Sequence, residues 1–522
     1  MSLPGLLRTA ARERPDAVFL REAESMGRPR SASRPPGTIT LRELDEHADR
    51  LAAGLAARGV GPGDRVAVAL PNGAAWIGLL FATTRLGAVL VTLNVRYRGS
   101  ELEHMLADSG ARVVVTVPEA GGTDLVALYA ELEPALPDLE HVVVDVDELF
   151  GDRPRETPGD DAEPGDPAVI LYTSGTTGTP KGAVLTHGSL LASARAEVEH
   201  LGLGPDDRFL ATMPFTHVGG LTCTLLSALV AGSEVVLTPG FSPAGALRDV
   251  VEHAVTVFAG VPTMWTLLLR ELGPDATLPS LRYAVAGGSN VEPALCTAIT
   301  TAAPHARVVN LYGLSETSGA AVMSALDDDA DTVASTLGVP LAGIEARIVD
   351  PVEGTDAPGD GAEGELWLRG APVAAGYWHR DEPTTFRPSD EHAERGWLAT
   401  GDVVARVGGD HLALRGRLKE MFISGGYNVY PVEVENVLGA HPGVAMVAGV
   451  GAPDDTHGEV GHFFVVRTPG SDVTSDELVA LAADRLANYK VPRVVEFVDD
   501  LPLTPAGKIQ KAVLRQRVQK GT

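Results

Sequence analysis

A repeated change of hydrophobic period constrains this chain more than any other feature. Leu44, Ala48, Leu51 and Leu55 recur at helical spacing, and Gly59 follows as a C-terminal stop. Val66–Leu70 is a short apolar run between Asp64-Arg65 and Pro71-Asn72, which reads as a buried strand. The alternation continues with Ala74–Leu86 as helix, Ala88–Leu93 as strand, Ser100–Asp108 as helix and Arg112–Val117 as strand. Strand and helix in alternation predict an α/β architecture with mostly parallel sheets. The 522 residues exceed what one core accommodates, so two or more domains are expected.

Near the C-terminus the rhythm changes. Val444–Val450, His462–Arg467 and Val494–Val498 read as strands and Ser475–Ala487 as a helix, enough for a small α+β domain of about 100 residues. Arg415–Gly426, polar and glycine-bearing, precedes it as an interdomain hinge. Met26–Gly37 and Gly151–Pro167 read as exposed loops, and a strand, Ala168–Tyr172, follows the second.

Composition narrows the partners. With 42 basic against 69 acidic residues, the net charge of −27 repels nucleic acid and anionic membranes over most of the surface. It leaves room for an anionic nucleotide in a locally organised pocket. No run of about eighteen apolar residues marks a membrane span. The start, MSLPGLLRTAARERPD, lacks a long apolar stretch before Arg8, so no secretory signal is read and a cytoplasmic location is expected. Cys223 and Cys296 have neither metal-ligand nor redox spacing and read as buried thiols.

Tyr172–Gly182, YTSGTTGTPKG, is the richest candidate for chemistry. Its glycines let backbone N–H groups turn toward an anion, its hydroxyls donate, and Lys181 adds positive charge. The spacing is not that of a Walker A loop, because Gly175 and Gly178 lie too close and Gly182 follows the lysine. By composition alone the string serves equally as a phosphate cradle or as a flexible surface loop.

The string resembles the phosphate-binding signature of the adenylate-forming superfamily, which includes acyl-CoA and aryl-CoA synthetases, peptide-synthetase adenylation domains and luciferases. The resemblance extends in family order from about residue 40 to residue 512. It implies that Thr173, Ser174, Gly175, Thr176, Thr177 and Lys181 surround the phosphates, Thr176 with a catalytic part. Ala286–Val291, AGGSNV, stands where the family lines the adenine and the acyl carboxylate, which implicates Gly287, Gly288 and Ser289. Ser289-Asn290 departs from the family's usual Gly-Gly-Ala-Pro. Asn310–Thr317, NLYGLSET, resembles the Y-G-x-T-E segment with Ser315 for threonine. It implies nucleotide contacts from Asn310, Tyr312, Gly313 and Ser315, and Mg²⁺ binding by Glu316, a carboxylate suited to a hard cation.

Four further strings match. WLATGDVV implies that Asp402 accepts from the ribose hydroxyls. RGRLKEMFISGGYNVYPVEVE implies Arg417 at ribose or phosphate, Lys419 at a hinge, and Gly425-Gly426 in a turn facing the pantetheine arm. LPLTPAGKIQK implies that Lys508 reaches the α-phosphate and acyl carboxylate, where its charge offsets the negative charge that builds during attack. MPFTHVGG places His217 beside an acyl pocket, which Gly260–Trp265 and Gly287–Val291 extend; Trp265 either shortens that pocket or packs in the core.

The resemblance thus implies a large N-terminal adenylation domain of several subdomains, 1–416, and a small mobile domain, 417–522, with the hinge near 417–420. It implies ATP, Mg²⁺ and CoA as cofactor and co-substrates. An acid's carboxylate attacks the α-phosphorus, pyrophosphate leaves, and the CoA thiol then takes the acyl group from acyl-AMP. Phe215-Thr216-His217 lacks the aspartate that holds an amino acid's ammonium, which argues against an amino acid, and the Tyr377-Trp378 pair in AAGYWHRDEPTTF with the GGYNVYP string resembles medium-chain, long-chain or aryl-CoA ligases, so a fatty or aryl acid is expected. A carrier protein or another oxyanion as partner, a homodimer, and a non-catalytic nucleotide-binding homologue remain alternatives.

Overall fold

The structure, a computed structural model, describes residues 1–22, 37–150, 162–173, 179–273, 276–288, 291–357, 359–383, 385–387, 396–454, 456–503 and 509–520, and all that follows is stated of those residues. Of the sequence-implied site, Ser174, Gly175, Thr176, Thr177, Ser289 and Lys508 lie outside them.

The alternation in the first third builds a six-stranded sheet. Its order is Lys181–Thr186, Pro167–Thr173, Val89–Thr92, Arg65–Ala69, Val113–Thr116 and His141–Val143. All neighbours are parallel except the edge pair Lys181–Thr186 and Pro167–Thr173. Ile77, Leu80, Phe81 and Trp76 of the helix Ala74–Arg85 are buried. That helix is apolar on every side, as a helix enclosed by other elements must be.

A nine-stranded sheet follows, with Arg208–Ala211, Val257–Gly260, Tyr283–Gly287 and Arg307–Leu314 parallel at its centre. Antiparallel strands close it at both ends, Gly319–Met323 next to Arg307–Leu314 among them. Ligands of open α/β sheets gather at the carboxyl ends of such parallel strands. Gly260, Gly287 and Leu314 end three of these four strands.

One sheet is not among the expected elements. Ile344–Val349, Glu363–Gly370, Phe386–Arg387, Trp397–Val407 and His411–Arg417 pair wholly antiparallel. The C-terminal part matches the expected α+β pattern. Val444–Asp454 pairs antiparallel and Val494–Phe497 parallel with Gly458–Arg467, and the helix Ser475–Arg485 packs nearby. No described helix is long and apolar enough to cross a membrane.

Candidate active site

The strand Arg307–Leu314 is the spine of the site. Its residues alternate between two faces, as strand geometry requires. Leu311 and Gly313 line a cleft of about 640 Å³, while Tyr312 between them donates its hydroxyl to Asp402 Oδ2 at 2.7 Å. Gly313 has no room for a side chain, since a Cβ there would lie 2.0 Å from Gly319 O. The ladder to Gly319–Met323 slips a register between Tyr312 and Gly313. Such a bulge re-aims side chains beside a site.

The turn that ends this strand is strained. Ser318 holds φ of 56°, a left-handed conformation that costs a non-glycine residue energy. Buried hydrogen bonds retain it: Ser318 Oγ donates to Ser189 Oγ at 2.9 Å, and Thr317 Oγ1 donates to Gly319 O at 2.8 Å. Ser315 and Glu316 occupy this turn, and Asn310 is anchored at the other side by its amide donating to Thr336 O at 2.8 Å.

Asp402 sits at a second irregularity. Glu365 pairs with Val403 and Trp367 with Ala399, so Thr400-Gly401-Asp402 bulges out of the strand Trp397–Val407. Glu365 Oε1 accepts from Gly401 N at 2.9 Å and fixes that bulge. Asp402 is 1% exposed, and Arg417 Nε donates to its Oδ1 at 2.7 Å. The Asp402 carboxylate raises the Arg417 guanidinium further, and burial followed by Asp402 pushes the Tyr312 phenol well above its ordinary range.

The opposite end of the site brings together residues distant in sequence. Lys181 opposes Thr173 in the ladder, and its Nζ pairs with Glu382 Oε1 at 2.7 Å. The same ammonium lies 5.3 Å from the Tyr377 ring centroid. Tyr377 Oη donates to Glu316 Oε1 at 2.5 Å, and burial followed by the Glu316 charge raises that phenol. Tyr377 therefore links the lysine to the carboxylate. Neither Tyr377 nor Glu382 emerged as a site residue from the sequence, although both fall in AAGYWHRDEPTTF.

The cleft itself is apolar and glycine-rich. Met213, Val218, Ala259, Val261, Val285 and Leu311 line it, with Gly260, Gly287 and Gly288 at strand ends. His217 and Cys223 contribute its polar side chains. His217 caps the following helix, its Nδ1 accepting from Gly219 N at 3.1 Å. Trp265 does not line the cleft: it is 0% exposed, packs against Phe258 with the rings tilted by 57°, and donates its indole N–H to Val285 O at 3.0 Å. Of the two readings for Trp265, core packing is the one realised, and it buttresses the strand whose Val285 does face the cleft. Both cysteines are buried, as expected.

In the C-terminal part, Gly425-Gly426 forms a two-residue hairpin turn between Phe422–Ser424 and Tyr427–Val429, with φ of 58° and 88°. Two successive positive φ values are what such a turn demands and what glycine supplies without strain. Lys419 lies in the turn after His411–Arg417. Withdrawal from water, then Arg417, hold its ammonium below the ordinary range. Arg515 Nη2 donates to Lys419 O at 3.3 Å and ties the last helix to this turn.

Comparison with known proteins agrees with this geometry. The family described as AMP-binding enzyme matches residues 7–378, and the AMP-binding enzyme C-terminal domain matches 433–508. A feruloyl-CoA synthase from Amycolatopsis sp is 39% identical over 93% of this chain and 96% of that protein. A 3-[(3aS,4S,7aS)-7a-methyl-1,5-dioxo-octahydro-1H-inden-4-yl]propanoyl:CoA ligase from Mycobacterium tuberculosis is 37% identical over 92% of this chain and 94% of its own. The ATP-bound MatB structure from Rhodopseudomonas palustris superposes with a TM-score of 0.86 at 30% identity, covering 99% of both chains. The chain belongs to the AMP-binding enzyme family, within the adenylate-forming superfamily. It is an AMP-forming acid–CoA ligase with ATP and CoA as co-substrates.

Proposed function

We propose that Arg307–Leu314 seats the reacting groups, with an uncharged acyl body on its cleft face, the ribose at Asp402 on the other, and the phosphates between Lys181 and Glu316. The observation that carries this reading is Tyr312, which bonds Asp402 while its neighbours Leu311 and Gly313 line the cleft. The acid and the nucleotide then meet edge to edge at one strand, as attack on the α-phosphorus requires. No protein nucleophile is needed, and catalysis comes from positioning and charge stabilisation.

Asp402 accepts the ribose hydroxyls, since each carboxylate oxygen has capacity beyond its one protein donor. Arg417, 41% exposed, is the partner that shifts to admit them. Glu316 would hold Mg²⁺. No cluster of three or more acidic, histidine or cysteine side chains stands ready for a metal among the described residues. That fits an ion bound through one carboxylate, phosphate oxygens and water, the usual manner for Mg²⁺ beside a nucleotide. When bound, it neutralises phosphate charge. Tyr377 orients Glu316, and Lys181 supplies positive charge to the phosphates on release from Glu382.

Lys508, on a C-terminal domain spanning 417–522, is assigned the α-phosphate during adenylation, with Lys419 at the hinge and Gly425-Gly426 toward the pantetheine arm. A cytoplasmic site of action fits this acid chemistry. Among the described residues, His217 is the one basic side chain lining the cleft, so a second carboxylate on the acid would cost several kcal/mol by order of magnitude to bury unless His217 paired with it. This favours aryl, alicyclic or fatty monocarboxylic acids. Relatives named for feruloyl, indoleacetate and long-chain fatty acids support that class.

The test is pyrophosphate release over fatty, aryl and dicarboxylic acids, each with and without CoA. Release with aryl or fatty acids, AMP turnover that needs CoA, and silence with dicarboxylic acids are expected. Preferential release with dicarboxylic acids would overturn the substrate class, and turnover only with a carrier protein would overturn the acceptor.

A further inference from the structure

Behind the cleft wall lies a buried carboxyl that the reaction does not use. Glu197 belongs to the helix His187–Leu201 and is 1% exposed. Leu190, Ala194 and Leu201 share its face, so its spacing assigns an acid to the core side of an otherwise apolar stripe. No basic side chain answers it among the described residues. Ser227 Oγ and Glu197 Oε2 are hydrogen-bonded at 3.0 Å, and the Cys223 thiol lies against the same carboxyl.

Its two partners belong to a distorted helix. Leu221–Leu226 is a π-helix between the α-helical turns Val218–Gly220 and Ser227–Ala231. Thr224 Oγ1 donates to Gly219 O and Ser227 Oγ to Thr222 O, each at 3.0 Å and each five residues back. π-turns are rare and concentrate at functional sites. This one faces the acyl cleft through Cys223. At its head, Gly220 is clamped, because a Cβ would meet Pro214 O at 2.3 Å. On the far side, Ala320 lies against the Cys223 thiol and opposes the cleft-lining Gly313 in the sheet.

We infer that Glu197 is a positioning residue for the acyl cleft, one that acts through Cys223. By bonding the Cys223 thiol and the Ser227 hydroxyl across the wide turn, its carboxyl sets how far Cys223 and the π-turn project toward the acid. Burial without a cation pushes that carboxyl up to about 8, so at neutral pH it is uncharged and needs no counter-ion. With the single Ser227 hydrogen given to Thr222 O, a neutral carboxyl can donate to Ser227 Oγ and still accept from the thiol, which neither a carboxylate nor an apolar side chain can do. The inference deepens the proposed function and rests on its assignment of the cleft to the acid.

The experiment compares Glu197→Leu, Glu197→Gln and Cys223→Ala in steady-state ligation with acids of graded size. Glu197→Leu is expected to raise the acid KM about tenfold and to alter the size preference, with ATP and CoA KM within about twofold of wild type. Glu197→Gln, which keeps a donor and an acceptor, restores the acid KM to within about threefold. Cys223→Ala shifts the size preference in the same sense, and adding it to Glu197→Leu changes little more, because both act at one place. A parallel rise in acid and ATP KM, or a lower unfolding midpoint with the acid KM and size preference unmoved, overturns the inference. Should Glu197→Leu fail to fold, Cys223→Ala with unaltered acid KM and size preference overturns it. Wild-type protein without acid-dependent pyrophosphate release sinks the assignment of the cleft as well. Release with unmoved acid KM in the variants sinks only the role of Glu197.

Discussion

Two walls of the active site are each organised by one buried carboxyl, and they are built on opposite electrostatic terms. At the end proposed for the ribose, Asp402 faces Arg417 at 2.7 Å and the Tyr312 hydroxyl, both donors, one of them a cation. Behind the acyl cleft, Glu197 faces a thiol and a hydroxyl and no cation. The first arrangement presents a charged acceptor to hydroxyl groups of a ligand. The second removes charge from the neighbourhood of an apolar body. Buried acids are tolerated either paired or protonated, and this site uses both solutions a few strands apart.

The largest effect that tests the comparison falls on the charged wall. Asp402→Ala removes the acceptor of two donors and of the proposed ribose bonds. Charge-assisted hydrogen bonds contribute about 1.5–3 kcal/mol each, so the adenylation kcat/KM for ATP should fall on the order of a hundredfold. Acid-dependent ATP–pyrophosphate exchange measures this. An acid KM that moves as far as the ATP KM would show that the strand Arg307–Leu314 does not separate the two ligands.

Next comes the link at the end proposed for the phosphates. Tyr377→Phe deletes the hydroxyl that holds Glu316 Oε1 and leaves the ring beside Lys181 in place. A loss of about 2 kcal/mol is expected, roughly thirtyfold in exchange rate, together with a higher Mg²⁺ concentration for half-maximal rate. An unchanged Mg²⁺ dependence would reduce Tyr377 to a packing residue.

These residues differ in how visible they are in sequence. Tyr312, Glu316 and Asp402 each stand in a short string whose neighbours share their task, so the string exposes them. Tyr377 and Glu382 act on partners 61 and 201 residues away, and only the folded chain brings those pairs together. The alternation of Leu44–Val117 was legible because buried parallel strands are apolar throughout. The antiparallel sheet from Ile344 to Arg417 left a signal that went unread, since Ile344–Val349 alternates apolar residues with Glu345 and Arg347 as a half-buried strand does. Glu197 left a signal that went unread, an acid on the apolar stripe of its own helix. Trp265 left none that distinguishes a pocket wall from the layer behind it, because both are apolar.

The smallest effect separates the two carboxyls by pH. Glu197 has its folded value raised to about 8 from an ordinary 4.5, so the folded state holds a proton that the unfolded state has released. Stability therefore falls as pH rises from the unfolded value through the folded one, and levels off beyond it. Cys223 is the titratable group facing Glu197 among the described residues, and burial followed by Glu197 raises its thiol, so it stays protonated across this window. Glu197→Gln cannot lose a proton. Relative to wild type, the variant should gain about 1.4 kcal/mol between pH 7 and pH 9, the free energy of one proton held on average across half of that interval. Urea unfolding of both proteins at the two pH values measures the difference. A gap that stays constant would mean that Glu197 is ionised in the folded protein, with a cation or water serving it, and the contrast with Asp402 would collapse.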